Sequence, residues 1–365
     1  MSDNHEPMDK IKETFRVKWY RTPIDRDVLR KLTRRSNARG LFQALGHLAM
    51  LVATGYVVLT AAAQQQWLLF AVFLWLHGTI LTFLSLSASH ELSHNTVFRS
   101  KWLNRAFLFL FSIPAWFNPF WYAISHTYHH VYTLHPKGDR EVTLPREPSL
   151  RFPFLVQLFT INIFGGYNSI GLIPAIGGTL RLALTGKFGG VFAAVSSEWL
   201  EAIFTADQTK ERRKAVAFAR FLVLFHLTVI VVSIVTGIWP LMLLVTFGTF
   251  IGNWLRYFVG VPMHTGLRDN VADFRKCART IQLDPITEFL YWRMNRHIEH
   301  HMFAAVPGYN LRRLEKAIAW DLPKPRTLIG SWKEMRMIWK RQQAEPGYQF
   351  DTPVPNETPG STPPS

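Results

Sequence analysis

Four apolar stretches limit what this chain can fold into. Near residues 41–63, 67–89, 221–239 and 240–262 the sequence stays apolar for about the 20 residues that a helix needs to cross a bilayer. The first three contain no Lys, Arg, Asp or Glu, and the fourth contains only Arg256. The connectors inside each pair, residues 64–66 and 237–239, are short and uncharged, so each pair reads as a helical hairpin. Basic residues stand outside the hairpins: Arg30, Lys31, Arg34, Arg35 and Arg39, then Arg99, Lys101 and Arg105, then Lys210 and Lys214, and Arg268. Positive charge collects on the cytoplasmic side of membrane proteins, which places both hairpin openings and both termini there. The alternative, buried helices of a soluble protein, fits poorly because runs of this length are rare in soluble cores.

Between and after the hairpins the chain is mixed in polarity. Residues 107–125 and 152–178 are apolar but interrupted by Pro114, Pro119, Pro153, Gly165, Gly166 and Pro174. They read as interfacial or re-entrant helices of a cytosolic cap. From about residue 341 the chain is rich in Pro and polar residues, a composition that predicts disorder. The expected organisation is thus a basic cytoplasmic segment over 1–40, a membrane domain over 41–340 and a disordered tail over 341–365. The start of the chain does not read as a cleaved signal peptide, and the sequon at Asn356 would stay unused on the cytoplasmic side. The net charge of +16 could serve nucleic acid or anionic lipid; its placement beside apolar blocks selects lipid and excludes nucleic acid. With Cys277 as the single cysteine, an internal disulfide, a four-cysteine zinc site and a self-ligated iron–sulfur cluster are excluded.

Chemistry enters with the histidines. HELSH places His90 and His94 four residues apart, on one helix face. HTYHH places His126, His129 and His130 at i, i+3 and i+4, and HIEHH repeats that spacing with His297, His300 and His301. His264 stands at the mouth of the fourth stretch. The topology brings all nine to one edge of the helical bundle. Nine imidazoles exceed the capacity of one ion, so two metals are implied, and imidazole suits iron, copper, nickel or zinc. Two redox metals beside a membrane core point to O₂ chemistry on an apolar substrate. His47, His77 and His226, inside the apolar stretches, and His5 in the N-terminal segment read as isolated packed or surface residues.

The three boxes, in this order around two hairpins, resemble the membrane fatty-acid desaturase and hydroxylase superfamily over roughly residues 41–320. The resemblance implies an all-α membrane protein with four transmembrane helices in two hairpins and a helical cytosolic cap. It implies two iron ions on His90, His94, His126, His129, His130, His264, His297, His300 and His301, with O₂ as co-substrate. The run Pro307, Gly308, Tyr309, Asn310 and Leu311 is similar to the usual continuation of the third box, although Ala304 stands where proline is common. In acyl-CoA members an Asn four residues before the His264 position holds a metal-bound water; here that residue is Gly260. The short first box and the His at the start of the third resemble bacterial acyl-lipid desaturases and alkane hydroxylases. Segment 140–215 matches no recognised pattern.

The function this implies is desaturation of an acyl chain or similar apolar substrate. Hydroxylation, or desaturation of a small natural-product metabolite, is the alternative. Glu91, Glu299 and Asp139 are candidates for orienting ligand imidazoles through the free ring nitrogen. His135, followed by Pro136, Lys137 and Gly138, reads as a surface residue or one behind the ligands, because no haem domain fits there. The chain has no dinucleotide or P-loop fingerprint, so electrons must come from a separate donor, of ferredoxin or cytochrome b5 type with its reductase. HELSH also satisfies HExxH, the zinc-protease motif in which Glu91 would be general base. That reading leaves six box histidines unused. A metal permease would need polar groups along the spans at the bilayer midplane, where only His47, His77 and His226 stand.

Overall fold

Ser36 sets the start of the first apolar block. Its side chain accepts a hydrogen bond from the Arg39 amide, and the helix Asn37–Ala63 follows without interruption. Gln65 turns the chain in the left-handed region, φ 58°, and Trp67–Ser93 returns antiparallel to the first helix. The structure, a computed structural model, describes residues 6–142, 144–189 and 195–355. Among these, three helices are long and apolar enough to cross a membrane: Asn37–Ala63, Trp67–Ser93 and Ala206–Val235. Their outward faces carry exposed Phe42, Val52, Leu68, Leu224 and Val235, as lipid-facing helices do. The third begins well before the expected 221, so the basic residues Lys210 and Lys214 lie inside its first turns.

The fourth expected span is not one continuous helix. Residues 240–262 form a short apolar helix, Pro240–Phe250, whose middle is a π turn and whose end is a 3₁₀ turn. A break at residues 251–253 follows, and the helix resumes as Trp254–Gly260. Gly252 carries φ 63°, and a Cβ there would lie 2.6 Å from Thr79 Oγ1. Polar backbone freed inside an apolar layer must find protein partners, and loop 160–171 supplies them. The Asn162 amide donates to the Phe250 carbonyl at 2.7 Å, and the Gly252 amide to Thr160 O at 3.0 Å. Asn253 Oδ1 accepts from Asn162 Nδ2 and the Ile170 amide. Hydropathy registers the apolar residues and not this paired, interrupted backbone.

The remaining helices are shorter. Lys101–Ser112 and Pro119–Tyr132 are separated by the bend at 113–118. Phe152–Phe159 and Leu172–Thr185 are too short to cross, and Phe152, Val156 and Leu184 are exposed on them. His297–Met302 and Leu311–Ile318 pack through Ile298, Met302, Leu311, Leu314 and Ile318 against Phe274 and Cys277. The described strands are a single short parallel pair, Ile281–Gln282 with Arg326–Thr327. The segment before residue 40 also packs on the shorter helices, with Met8 and Ile11 buried beside Tyr128 and Trp199. The expected disordered tail from 341 is corrected for the part described. Helix Leu328–Ala344 runs past that point, Thr352 is buried, and Asp351 pairs with Arg268 and Lys276. Asn356 and residues 357–365 lie outside the described residues.

Candidate metal centre

Each box is placed by a short helix. Before the first, Leu84–Ser89 is a π turn, a one-residue widening common at functional sites; it sets the direction of His90. The second lies on Pro119–Tyr132, which Asn118 caps by accepting from the Phe120 amide. The third is the helix His297–Met302 itself. On a helix, residues i and i+4 share a face and i+3 lies to one side of it. His126 and His130 accordingly point one way and His129 another, and His297 and His301 diverge from His300.

The nine histidines therefore assemble into two groups. His90, His94, His126, His130 and His300 form one, and His129, His264, His297 and His301 the other, with ligand nitrogens inside each group within 4.8 Å of one another. The second and third boxes contribute to both groups with exchanged roles: the i, i+4 pair of one box meets the i+3 residue of the other. Of the isolated histidines, His5 lies outside the described residues and the other three are held elsewhere. His47 meets Ile80 O and Trp292 Nε1, His77 meets Thr54 and Leu244 O, and His226 meets Thr246 and Ile113 O.

Five of the ring nitrogens pointing away from the groups find oxygen partners, whereas Nδ1 of His130, His297 and His300 has none among the described residues. His129 Nδ1 donates to Asp139 at 2.8 Å, His126 Nδ1 to Glu141 at 3.0 Å, and His264 Nδ1 to the Cys277 carbonyl at 2.8 Å. The Tyr122 hydroxyl lies 2.8 Å from His90 Nδ1, and Thr133 Oγ1 3.1 Å from His301 Nδ1. Protons fixed on Nδ1 leave bare Nε2 lone pairs on His126, His129 and His264. Those lone pairs nevertheless face other nitrogens: His126 Nε2 is 2.9 Å from His130 Nε2, and His264 Nε2 is 2.8 Å from His297 Nε2. Nitrogens at right angles around one ion, with bonds of about 2.1 Å, would sit about 3.0 Å apart. Both groups thus fit a bound cation, and the residues form a metal-site candidate of imidazole character.

Electrostatics agrees. Burial, with neighbouring imidazoles, holds His126, His130, His297, His300 and His301 well below the usual histidine range, and burial lowers His264 to about 3. They stay neutral and can offer lone pairs. His129 is the exception: burial lowers it, but the Asp139 carboxylate outweighs that and raises it.

Asp139, one of three carboxylates expected to orient ligand imidazoles, meets His129. Glu91 is set differently: it accepts from the Gly308 amide at 2.7 Å and from Thr96, and its Oε2 is 3.8 Å from His300 Nδ1. Bound in this way, and with His90 and His94 joined by three other histidines, it has little in common with a zinc-protease base. Glu299 turns to Thr280, and burial pushes it up to about 7. His135 is buried rather than on the surface, between Phe15 and Trp19. Sequence reasoning missed Glu141, which burial pushes up to about 7; its place two residues after Asp139, close behind the second box, was the available signal. Asn168 was also missed. A Cβ on Gly260 would lie 2.4 Å from Asn168 Nδ2, so the amide fills the space beside that glycine. Arg256, the lone charge of the fourth stretch, donates to Asn168 Oδ1 at 2.9 Å. Asn168 also lines an apolar cavity of about 240 Å³, walled by Leu86, Ala115, Phe117 and Trp121, close in sequence to the first and second boxes.

This combination of apolar helices and paired histidine groups fits a membrane-bound metalloprotein. The fatty acid desaturase family model matches residues 65–332, and the chain belongs to that family. Among curated proteins, the sn-1 oleoyl-lipid 12-desaturase of Picosynechococcus sp. is 23% identical over 330 residues, covering 86% of this chain and 87% of that one.

Proposed function

We propose that this chain is an O₂-dependent desaturase that introduces a C=C bond into an acyl chain held in the cavity walled by Leu86, Phe117 and Trp121. The observation that carries this is the pair of convergent histidine groups, and an apolar cavity walled by residues close in sequence to the first two boxes supports the substrate class. Two iron ions would be held, one by His90, His94, His126, His130 and His300, the other by His129, His264, His297 and His301. When bound, they supply the activation of O₂ needed to break unactivated C–H bonds. The protein's own part is geometric and electrostatic. Asp139, Glu141 and the Cys277 carbonyl fix the tautomer and direction of three ligand rings. Apolar walls exclude water and hold the methylene chain in register. Glu91 braces the first box against Gly308, and Glu299 the third against Thr280; both are positioning residues.

In this reading the chain crosses the membrane four times, with Pro240–Phe250 and Trp254–Gly260 as an interrupted last crossing. The helical cap, the metals and both termini face the cytoplasm. Reporters inserted at Gln65 and fused after Ser365 should then report opposite compartments. The experiment that tests function is mass spectrometry of lipids and metabolites from cells with and without the gene. Loss of two hydrogens from an acyl chain is expected. Gain of one oxygen would identify a hydroxylase, and a shifted small metabolite would replace the acyl substrate.

A further inference from the structure

The N-terminal segment alternates in character from residue 16: Arg16 and Lys18 are exposed, while Val17 and Trp19 turn inward and line a second cavity of about 410 Å³. Helix Arg26–Leu32 does the same, with Leu29 inward and Arg26, Arg30 and Lys31 exposed. The segment is tied down. The Tyr20 amide donates to Ala272 O, and the Tyr20 and Thr22 hydroxyls both donate to Asp321. On its inner side the cavity reaches His130, from the five-histidine group, and His301, from the four-histidine group. Trp19 connects its outer wall to the ligands: it stacks on Phe274 at 3.9 Å, and Phe274 lies 5.4 Å from His301. The outer wall is strongly basic. Its acids within residues 16–35 are Asp25, which caps the helix, and Asp27, which pairs with Arg30.

The chemistry proposed above needs electrons at such a place. Removing two hydrogens from –CH₂–CH₂– supplies two of the four electrons that reduce O₂ to two waters. The other two electrons, with two protons, must arrive from outside. One cysteine cannot hold an iron–sulfur cluster.

We propose that the wall formed by Arg16, Lys18, Arg21 and helix Arg26–Leu32 is the docking surface of a small acidic electron-carrier protein of ferredoxin type. The proposal rests on the O₂-dependent reading of the site. Charge complementarity selects an acidic protein. A protein is selected over anionic lipid because this wall packs on cap residues 131, 272 and 301–306 and the cavity behind it reaches His130 and His301.

The test uses the full chain in phosphatidylcholine nanodiscs, which remove anionic lipid. Binding of an acidic [2Fe–2S] ferredoxin is measured by surface plasmon resonance at increasing salt. Wild-type binding should weaken as salt rises. The triple variant Arg16→Glu, Lys18→Glu, Arg21→Glu should bind at least about 10-fold more weakly with a flatter salt dependence, and Arg99→Glu, Lys101→Glu, Arg105→Glu should bind as wild type does. Unchanged binding in the first variant, or loss only in the second, overturns the proposal. A photo-crosslinker placed at Lys18 serves if the triple variant misfolds: capture of ferredoxin supports docking, and capture of lipid alone overturns it. Dithionite with a small mediator separates the two readings. It should drive desaturation in the triple variant at the wild-type rate. If wild-type protein gives no product with it, the desaturase reading fails, whatever the binding data show.

Discussion

The five-histidine and four-histidine groups are built to different degrees of closure. All members of the four-histidine group are buried, whereas His94 and His130 of the larger group are only half-buried. The carboxylates behind them differ in the same sense: Asp139 is fully buried against His129, and Glu141, behind His126, keeps a side-chain exposure of 17%. Although His301 lines the cavity behind Trp19, the smaller group is the more buried of the two, and the larger one leaves His94 and His130 partly open. Similar donor sets that differ in this way should differ in metal exchange, with the four-histidine site expected to be the slower.

The strongest challenge to this comparison is removal of a ligand. His301→Ala should reduce bound metal from about two ions per chain to about one and abolish turnover, with elemental analysis and product formation as readouts. If that variant keeps both ions, the grouping is wrong. Next in size is Asp139→Asn, expected to lower metal affinity or activity by about 10–100-fold. Glu141→Gln should fall at the lower end of that range, because water can replace part of what the slightly exposed carboxylate provides. An equal loss in both would erase the contrast. Chelation of the purified protein should then proceed in two phases, the faster releasing the ion of the five-histidine group; a single phase would show equal closure. Smallest of all, Glu91→Gln should cost about 10-fold, since its contacts are Gly308 and Thr96. Complete loss of activity with full metal content would return the zinc-protease chemistry to consideration.

The boxes were legible because i, i+3 and i+4 spacing is a local property of one helix. The sorting of their members into two groups was not written in any single box. It depends on how two helices face each other, which lets His129 leave its neighbours for His264 while His300 joins His90. His264 was suggested only by its position at the end of an apolar stretch. The first span, and the second as far as Leu81, were readable for the same reason as the boxes, being regular helices whose hydropathy and geometry coincide; the π turn at Leu84–Ser89 was not. The fourth was not, because its break depends on Thr160 and Asn162, far away in sequence, and on a left-handed Gly252 that hydropathy scores as neutral. Asp139 could be anticipated from its place after the second box. Asn168 could not, since its role arises from the absent side chain at Gly260. The tail was misjudged because composition ignores Asp351, which holds it to Arg268 and Lys276.

The interruption at residues 251–253 also bears on how the molecule is assembled. The atoms that satisfy it, Thr160 O and the Asn162 amide and side chain, belong to a loop synthesised earlier than the segment it stabilises. The last apolar segment consequently meets a template already made, and it can be accepted into the bundle as it emerges, without leaving polar backbone in contact with lipid. Biogenesis of the second helical pair is expected to depend on that order, whereas the turn of the first pair at residues 64–66 bonds to the helix just before it. Excision of residues 160–171 should therefore leave the first hairpin inserted and the end of the second stranded.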